Sequence, residues 1–219
     1  MISYKDVKDN EAIKEYIKRA DQSLVALGYT EHSFAHVGKV ANTAKYILET
    51  LGYSAHDVEL AQIAAYMHDI GNLVNRVDHS QSGAIIAFRI LDKMGMDAEE
   101  LATIVSAIGN HDEGTGVPVD AVAAALILAD KSDVRRSRVR NEDPAKFDIH
   151  DRVNFSVTNA DLSIDEDRKY ITLDITIDTD YASVMEYFEI FLHRMLLCRK
   201  AADALGLSFR LVINGQNLL

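Results

Sequence analysis

Histidine and aspartate recur in this chain where they could share a metal ion: His36, the adjacent pair His68-Asp69, His79, His111 and Asp130. Each falls within or at the end of a different segment with helical hydrophobic periodicity. Imidazole nitrogens with carboxylate oxygens suit iron, manganese, nickel or zinc better than calcium. The His-Asp pair closes an apolar, alanine-rich stretch from Val58 to Met67. Ser54 and Asp57 form a capping pair at its start, and Gly71 is its expected glycine stop. Asp130 follows Ala125-Leu126-Ile127-Leu128-Ala129, an apolar helical run in which an unpaired carboxylate carries a heavy desolvation penalty. A bound cation removes that penalty.

The elements that must position these groups are helices. Residues 9–27 read as an amphipathic helix stopped at Gly28, and residues 33–51 as a second, with His36 in its first turns and Gly52 behind it. A third spans residues 55–69, and a loop from Asn72 to Asp78 leads to a fourth that opens at His79 and ends near Gly95. The fifth starts at the Asp97/Glu100 capping pair and reaches about His111. A turn at Gly114 to Pro118 precedes a sixth helix, expected from Asp120 to Arg140. Arg152–Thr158 and Tyr170–Ile177 then alternate with period two, as strands do, with a polar hairpin loop over 159–169. Residues 181–205 return to helical periodicity and Phe209–Ile213 read as a last strand. The expected fold is mainly α: a helical bundle over residues 1–142 and a small β-β-α-β appendage over 143–219.

The order His36, His68-Asp69, His79, His111, Asp130 within this helical frame resembles the HD-domain superfamily of metal-dependent phosphohydrolases. The resemblance covers about residues 33–140. It implies one ion held by His36, His68, Asp69 and Asp130, and a second held by His79 and His111 with Asp69 as bridge. It also implies a reaction in which paired ions activate a bridging water or hydroxide and clamp the oxygens of a phosphoryl displacement. The expected cofactor is therefore two divalent transition ions, iron or manganese first, with zinc, nickel or magnesium as alternatives.

The segment His79-Ser80-Gln81-Ser82-Gly83-Ala84 and the run from Ile108 to Arg140 are similar to the HD-GYP branch, which cleaves cyclic dinucleotides. That branch has Lys where this chain has Asn72, and Gly-Tyr-Pro where this chain has Gly116-Val117-Pro118. The alarmone-hydrolase branch carries a Glu-Asp pair soon after its His-Asp, and the deoxynucleotidase branch a Glu in place of Asn72; this chain has neither. Activation of the nucleophile then falls to the metal, or to Asp112 or Glu113 beside His111. The candidate catalytic residues are Asp69, Lys131 and Asp112.

Directly after Asp130 comes a basic stretch, Lys131 to Arg140. On a continuing helix Lys131, Arg135 and Arg138 form one stripe beside Asp130 and are the candidate substrate-phosphate ligands. No aromatic residues interleave with these charges, and with a net charge of −11 this argues against nucleic-acid and anionic-membrane partners. Cys198 stands alone, which excludes an intrachain disulfide and points to a reducing cytoplasm. The N-terminus shows no apolar signal core.

The sequence therefore predicts a phosphohydrolase acting on a small anionic phosphorylated compound, nucleotides first. The alternative is a catalytically silent or regulatory metal-binding domain; a di-iron redox enzyme ranks third. A two- or three-stranded sheet alone is marginal and presents an edge, which favours a homodimer.

Overall fold

The computed structural model describes residues 2–219. Two helices set its centre. α4 (Ala55–Met67) buries Val58 and every residue from Leu60 to Met67, and α7 (Ala121–Lys131) buries every residue from Val122 to Lys131. Helices apolar all round belong inside a bundle. α3 (Phe34–Leu51) packs on both, while α6 (Ala98–Gly109) packs on α4, on α7 and on α5 (His79–Met94). α1 (Tyr4–Asp9) and α2 (Glu11–Ala26) close the bundle. The helix expected over residues 9–27 is α2, and α1 before it was not expected; Asn10 ends α1 and caps α2 by accepting from the backbone of Ala12 and Ile13.

The C-terminal part runs α8 (Ile149–Ser156), β1 (Val157–Ile164), β2 (Tyr170–Ile177), α9 (Val184–Ala204), β3 (Ser208–Ile213) and β4 (Gln216–Asn217). β1 and β2 are antiparallel, β2 and β3 are parallel across the α9 crossover, and β4 adds two residues to β3. Ile171, Leu173, Ile175 and Ile177 alternate into the buried face of β2. α9 contacts both β3 and α7, and Ile164 N on β1 donates to the Tyr46 hydroxyl on α3 at 3.1 Å, so the appendage rests on the bundle through α9 and the edge strand. The mainly α architecture with a small β appendage is the one expected.

Three local expectations are corrected. The helix after Asp120 ends at Lys131 rather than Arg140. The chain then wraps around the buried Asp133 carboxylate, which pairs with Lys39, Arg135 and Arg138 and pulls the backbone out of helical register. Residues 149–156 are helical, capped by Asp148 accepting from Asp151 N, and the strand follows them. On β1 only Val157 is buried, so this edge strand is as polar in sequence as the hairpin loop expected over 159–169. Gly71 is not a helix stop. α4 ends at Met67 and a 3-10 turn spans Ile70–Leu73, where a Cβ on Gly71 would lie 1.9 Å from the His79 carbonyl oxygen. Glycine there lets the Asp69 turn press against the start of α5, which brings His79 to Asp69.

Candidate metal centre

Ser33 caps α3 by accepting from Ala35 N, and the buried Val37, Val40, Ala41 and Ala44 turn the face carrying His36 inward. His68 is the C-cap residue of α4, Asp69 opens the 3-10 turn, His79 opens α5, His111 follows α6 and Asp130 closes α7. All six residues predicted as ligands are buried, and the fold brings them together.

The contacts run through the imidazole Nε2 atoms. His36 Nε2 lies 3.5 Å from Asp69 Oδ2 and 3.4 Å from Asp130 Oδ1. His68 Nε2 lies 3.2 Å and 3.6 Å from the same two oxygens. His79 Nε2 lies 3.6 Å from Asp69 Oδ1 and 3.2 Å from His111 Nε2. Asp69 therefore turns Oδ2 to one pair of histidines and Oδ1 to His79. The amide of Asn72 fixes this orientation by donating to Asp69 Oδ1 at 2.9 Å.

Every Nδ1 has an acceptor. His36 Nδ1 faces Asp133 Oδ2 at 2.8 Å, His68 the Ala65 carbonyl at 2.7 Å, His79 the Arg76 carbonyl at 3.1 Å and His111 the Ile108 carbonyl at 2.6 Å. A proton fixed on Nδ1 leaves the neutral ring's Nε2 as a lone pair facing the centre, the preparation a metal ligand needs.

His36 Nε2, His68 Nε2 and Asp69 Oδ2 are buried without a hydrogen-bond partner, close together but misaligned for bonds to one another. Three orphaned donor atoms around one point are what a cation would satisfy. His36–His68–Asp130 and His68–Asp69–His111 each bring three donor atoms within 4.8 Å. The facing lone pairs of His79 and His111 repel unless a cation stands between or beside them. The residues present therefore fit divalent transition ions.

The electrostatics divide the histidines. Burial would push the His68 pKa down, but the Asp69 and Asp130 carboxylates more than reverse it, to about 10. Burial would raise the pKa of Asp130, yet Lys131 and His68 hold it well below the ordinary carboxylate range. His111 is pushed well below the ordinary histidine value by burial, with His68 adding to the effect; burial likewise lowers His79.

A cleft of about 580 Å³ opens over the centre and is lined by Asp69, His79 and Asp130. Lys131 and Arg138 reach it, but they share no helical stripe. Lys131 Nζ lies 2.7 Å from Asp130 Oδ2 and 3.4 Å from Glu113 Oε1. Arg138 donates to the carbonyls of Glu31 and Asp133 at 2.8 Å and 2.7 Å, which leaves it mainly a brace. Arg135, expected as a phosphate ligand, is not among the cleft residues and pairs with Glu31 and Asp133 at 3.0 Å each. Asp112 Oδ1 stands 4.0 Å from His79 Nε2, outside the cleft lining.

The sequence reading missed several residues. Asp133 was hidden in a stretch read as basic, although it stands one helical turn beyond Asp130. Arg76 faces His79 Nε2 at 3.4 Å and Asp69 Oδ1 at 3.9 Å, from a segment read only as loop. His32, its Nδ1 at 2.7 Å from the Thr30 carbonyl, lines the cleft beside His36.

A mainly helical bundle that gathers buried histidines and aspartates around a common point is a metal-binding scaffold. Residues 33–141 match the HD domain, and the chain belongs to the HD-domain superfamily, one of metal-dependent hydrolases. It is 25% identical over 211 residues to the uncharacterized protein MJ1020 of Methanocaldococcus jannaschii, covering 85% of this chain and 80% of that protein. It is also similar to a crystal structure described as a predicted HD superfamily hydrolase from an uncultured Thermotogales bacterium. That match has 25% identity and a TM-score of 0.45, over 57% of this chain and 67% of the other.

Proposed function

We propose that this protein is a phosphohydrolase that uses two divalent ions, iron or manganese, to cleave a phosphate ester of a small molecule, a nucleotide foremost. The observation that carries the reading is the set of three orphaned donor atoms, His36 Nε2, His68 Nε2 and Asp69 Oδ2, at the base of a cleft that also holds a buried ammonium. When bound, such ions acidify a water molecule and offset charge on the attacking and leaving oxygens.

The chain's own residues do the rest. His36, His68 and Asp130 would hold one ion and His79 and His111 the other, with Asp69 standing between the two groups. Lys131, whose pKa is raised because the Asp130 and Glu113 carboxylates outweigh its burial, keeps its charge and meets a phosphoryl oxygen. Arg76 faces the same space from the other side. Glu113 is held by Lys131 and Arg194 and is a poor proton carrier, whereas Asp112, beside His79, has its carboxylate available. The buried lone thiol of Cys198 suits a reducing cytoplasm. No described helix is long and apolar enough to cross a membrane.

Phosphate release from a panel of nucleotides, with the protein loaded with manganese or ferrous iron and its metal content measured, tests the reading. Release from at least one nucleotide is expected. Full metal loading with no release across the panel overturns it and favours a regulatory metal-binding domain.

A further inference from the structure

Arg194 stands on α9, in the segment that carries the sheet, yet it lines the cleft over the metal centre. Its Nε donates to Glu113 Oε1 at 2.9 Å; that oxygen is 3.4 Å from Lys131 Nζ, which is 2.7 Å from Asp130 Oδ2. Three short links therefore join a candidate ion ligand to a residue of the C-terminal segment. The Phe191 ring lies 4.1 Å from the guanidinium, so the group is held between an aromatic ring and a carboxylate. Among the described residues, its Nη1 and Nη2 make no hydrogen bond; only Nε is used. A guanidinium fixed in place with two unused donor groups at a cleft wall is prepared for bidentate contact with an anion.

The local charges point the same way. With the Asp130 carboxylate engaged by an ion, Glu113 alone faces two cations, Lys131 and Arg194. Within this cluster one positive charge is left over, and elsewhere in the cleft lining Arg76 and Arg138 stand against the Asp148 and Asp151 carboxylates. The cleft, at about 580 Å³, is of the size that houses whole small molecules rather than a lone phosphate. Its lining also includes Tyr29 and, from the C-terminal segment, Asp148, His150, Asp151, Asn154 and His193.

We propose that Arg194 anchors a second, non-reacting phosphate of the substrate, one position further from the centre than the phosphate met by Lys131. The substrate is then a compound with consecutive phosphates, such as a nucleoside diphosphate, and the C-terminal segment forms part of the active site. This rests on the phosphohydrolase reading above.

The test is equilibrium binding, by calorimetry, of inorganic phosphate and of methylenebisphosphonate, a diphosphate analogue with an unhydrolysable P–C–P bridge. The manganese-loaded full chain is compared with Arg194→Gln, Arg194→Lys and the double variant Arg194→Gln/Glu113→Gln, each with its metal content measured. Losing a charge-assisted hydrogen bond should weaken bisphosphonate binding about tenfold or more in Arg194→Gln, with phosphate affinity changed less than about threefold. Arg194→Lys should recover part of the loss, and the double variant should stay weak. If Arg194 only neutralises Glu113, the double variant returns to wild-type affinity, and that result overturns the proposal. Equal losses for both probes, unchanged bisphosphonate affinity in Arg194→Gln, or a wild type that binds neither probe also overturn it. Turnover is not needed for this measurement. A bisphosphonate effect without phosphate release from any nucleotide would refute the phosphohydrolase reading and leave the anchor standing.

Discussion

The two halves of the ligand set are built differently. His36 is tied across the fold: its Nδ1 rests on Asp133, whose carboxylate is itself clamped by Lys39, Arg135 and Arg138. Asp130 is held by Lys131 and, through Glu113, by Arg194 on α9. His79 and His111 are held only locally, each on a carbonyl three residues back, as His68 is on Ala65; one stands at the first residue of a helix and the other just after a helix end, with no long-range partner like Asp133 behind either. Long-range ties yield only when the core opens, whereas helix ends fray at much lower free energy. The half tied across the fold, and in that sense the deeper, should hold its ion more tightly, and the locally tied half should set whether both ions are present.

The largest effect should come from the residue that serves both halves. Asp69→Ala should empty both sites and lower phosphate release by roughly a thousandfold or more, the scale of losing a central electrostatic group. His79→Ala should instead retain about one ion per chain and lose roughly a hundredfold in activity. Elemental analysis beside a phosphate-release assay checks both. Equal metal loss in the two variants would erase the difference between the halves.

Asp133→Asn probes the deeper half without touching a proposed ligand. Removing the carboxylate that orients a ligating histidine typically lowers metal affinity about 10- to 100-fold. Metal titration should show that loss at the tighter site, with the weaker site little changed. An unchanged tighter site would mean that His36 needs no external support.

How much of this was legible in the sequence follows from the same contrast. The six candidate ligands that the fold gathers were visible because each is a special residue type at a definite place on a helix, and helical periodicity survives in sequence. Asp133, Arg76 and Arg194 were not visible, because they act through contacts between segments far apart in the chain. Arg194 on α9 meets Glu113 only because α9 packs on α7, and no local pattern encodes that docking. The same limit misplaced the end of α7. A basic run continues a helix by propensity, but the buried Asp133 drew Arg135 and Arg138 around itself.

A smaller effect concerns protons. Without metal, His68 titrates near 10, so at neutral pH it carries a proton that an incoming ion must displace. Metal binding near pH 7 should release protons, and affinity should rise with pH toward about 10. Calorimetry in buffers of different ionisation enthalpy measures this. The matching stability term has a definite sign. The folded pKa lies above the ordinary value of 6.5, so protonated His68 stabilises the metal-free fold fully below pH 6.5. That contribution falls as pH rises and is gone above about pH 10. Metal-free protein whose binding releases no proton at pH 7 would contradict this account.

The smallest expected effect is at Arg135, and it tests whether the basic stretch acts as one surface. A cationic helical stripe would make Arg135 as important to substrate as Lys131. Instead, Arg135 donates to Glu31 Oε2, Asp133 Oδ1 and Ser137 Oγ, and its side chain, 26% exposed, is not among the cleft residues. Arg135→Ala should therefore leave KM within about twofold. It should lower stability by about 1 kcal/mol, because half-buried pairs exceed surface pairs only modestly and Arg138 and Lys39 still hold Asp133. Lys131→Ala in the same assay should raise KM by about tenfold, the loss of one charged contact to phosphate. Comparable KM changes in the two variants would restore Arg135 to the substrate surface. A change confined to thermal stability in Arg135→Ala would fix it as a support for Asp133, and through Asp133 for His36 in the deeper half of the centre.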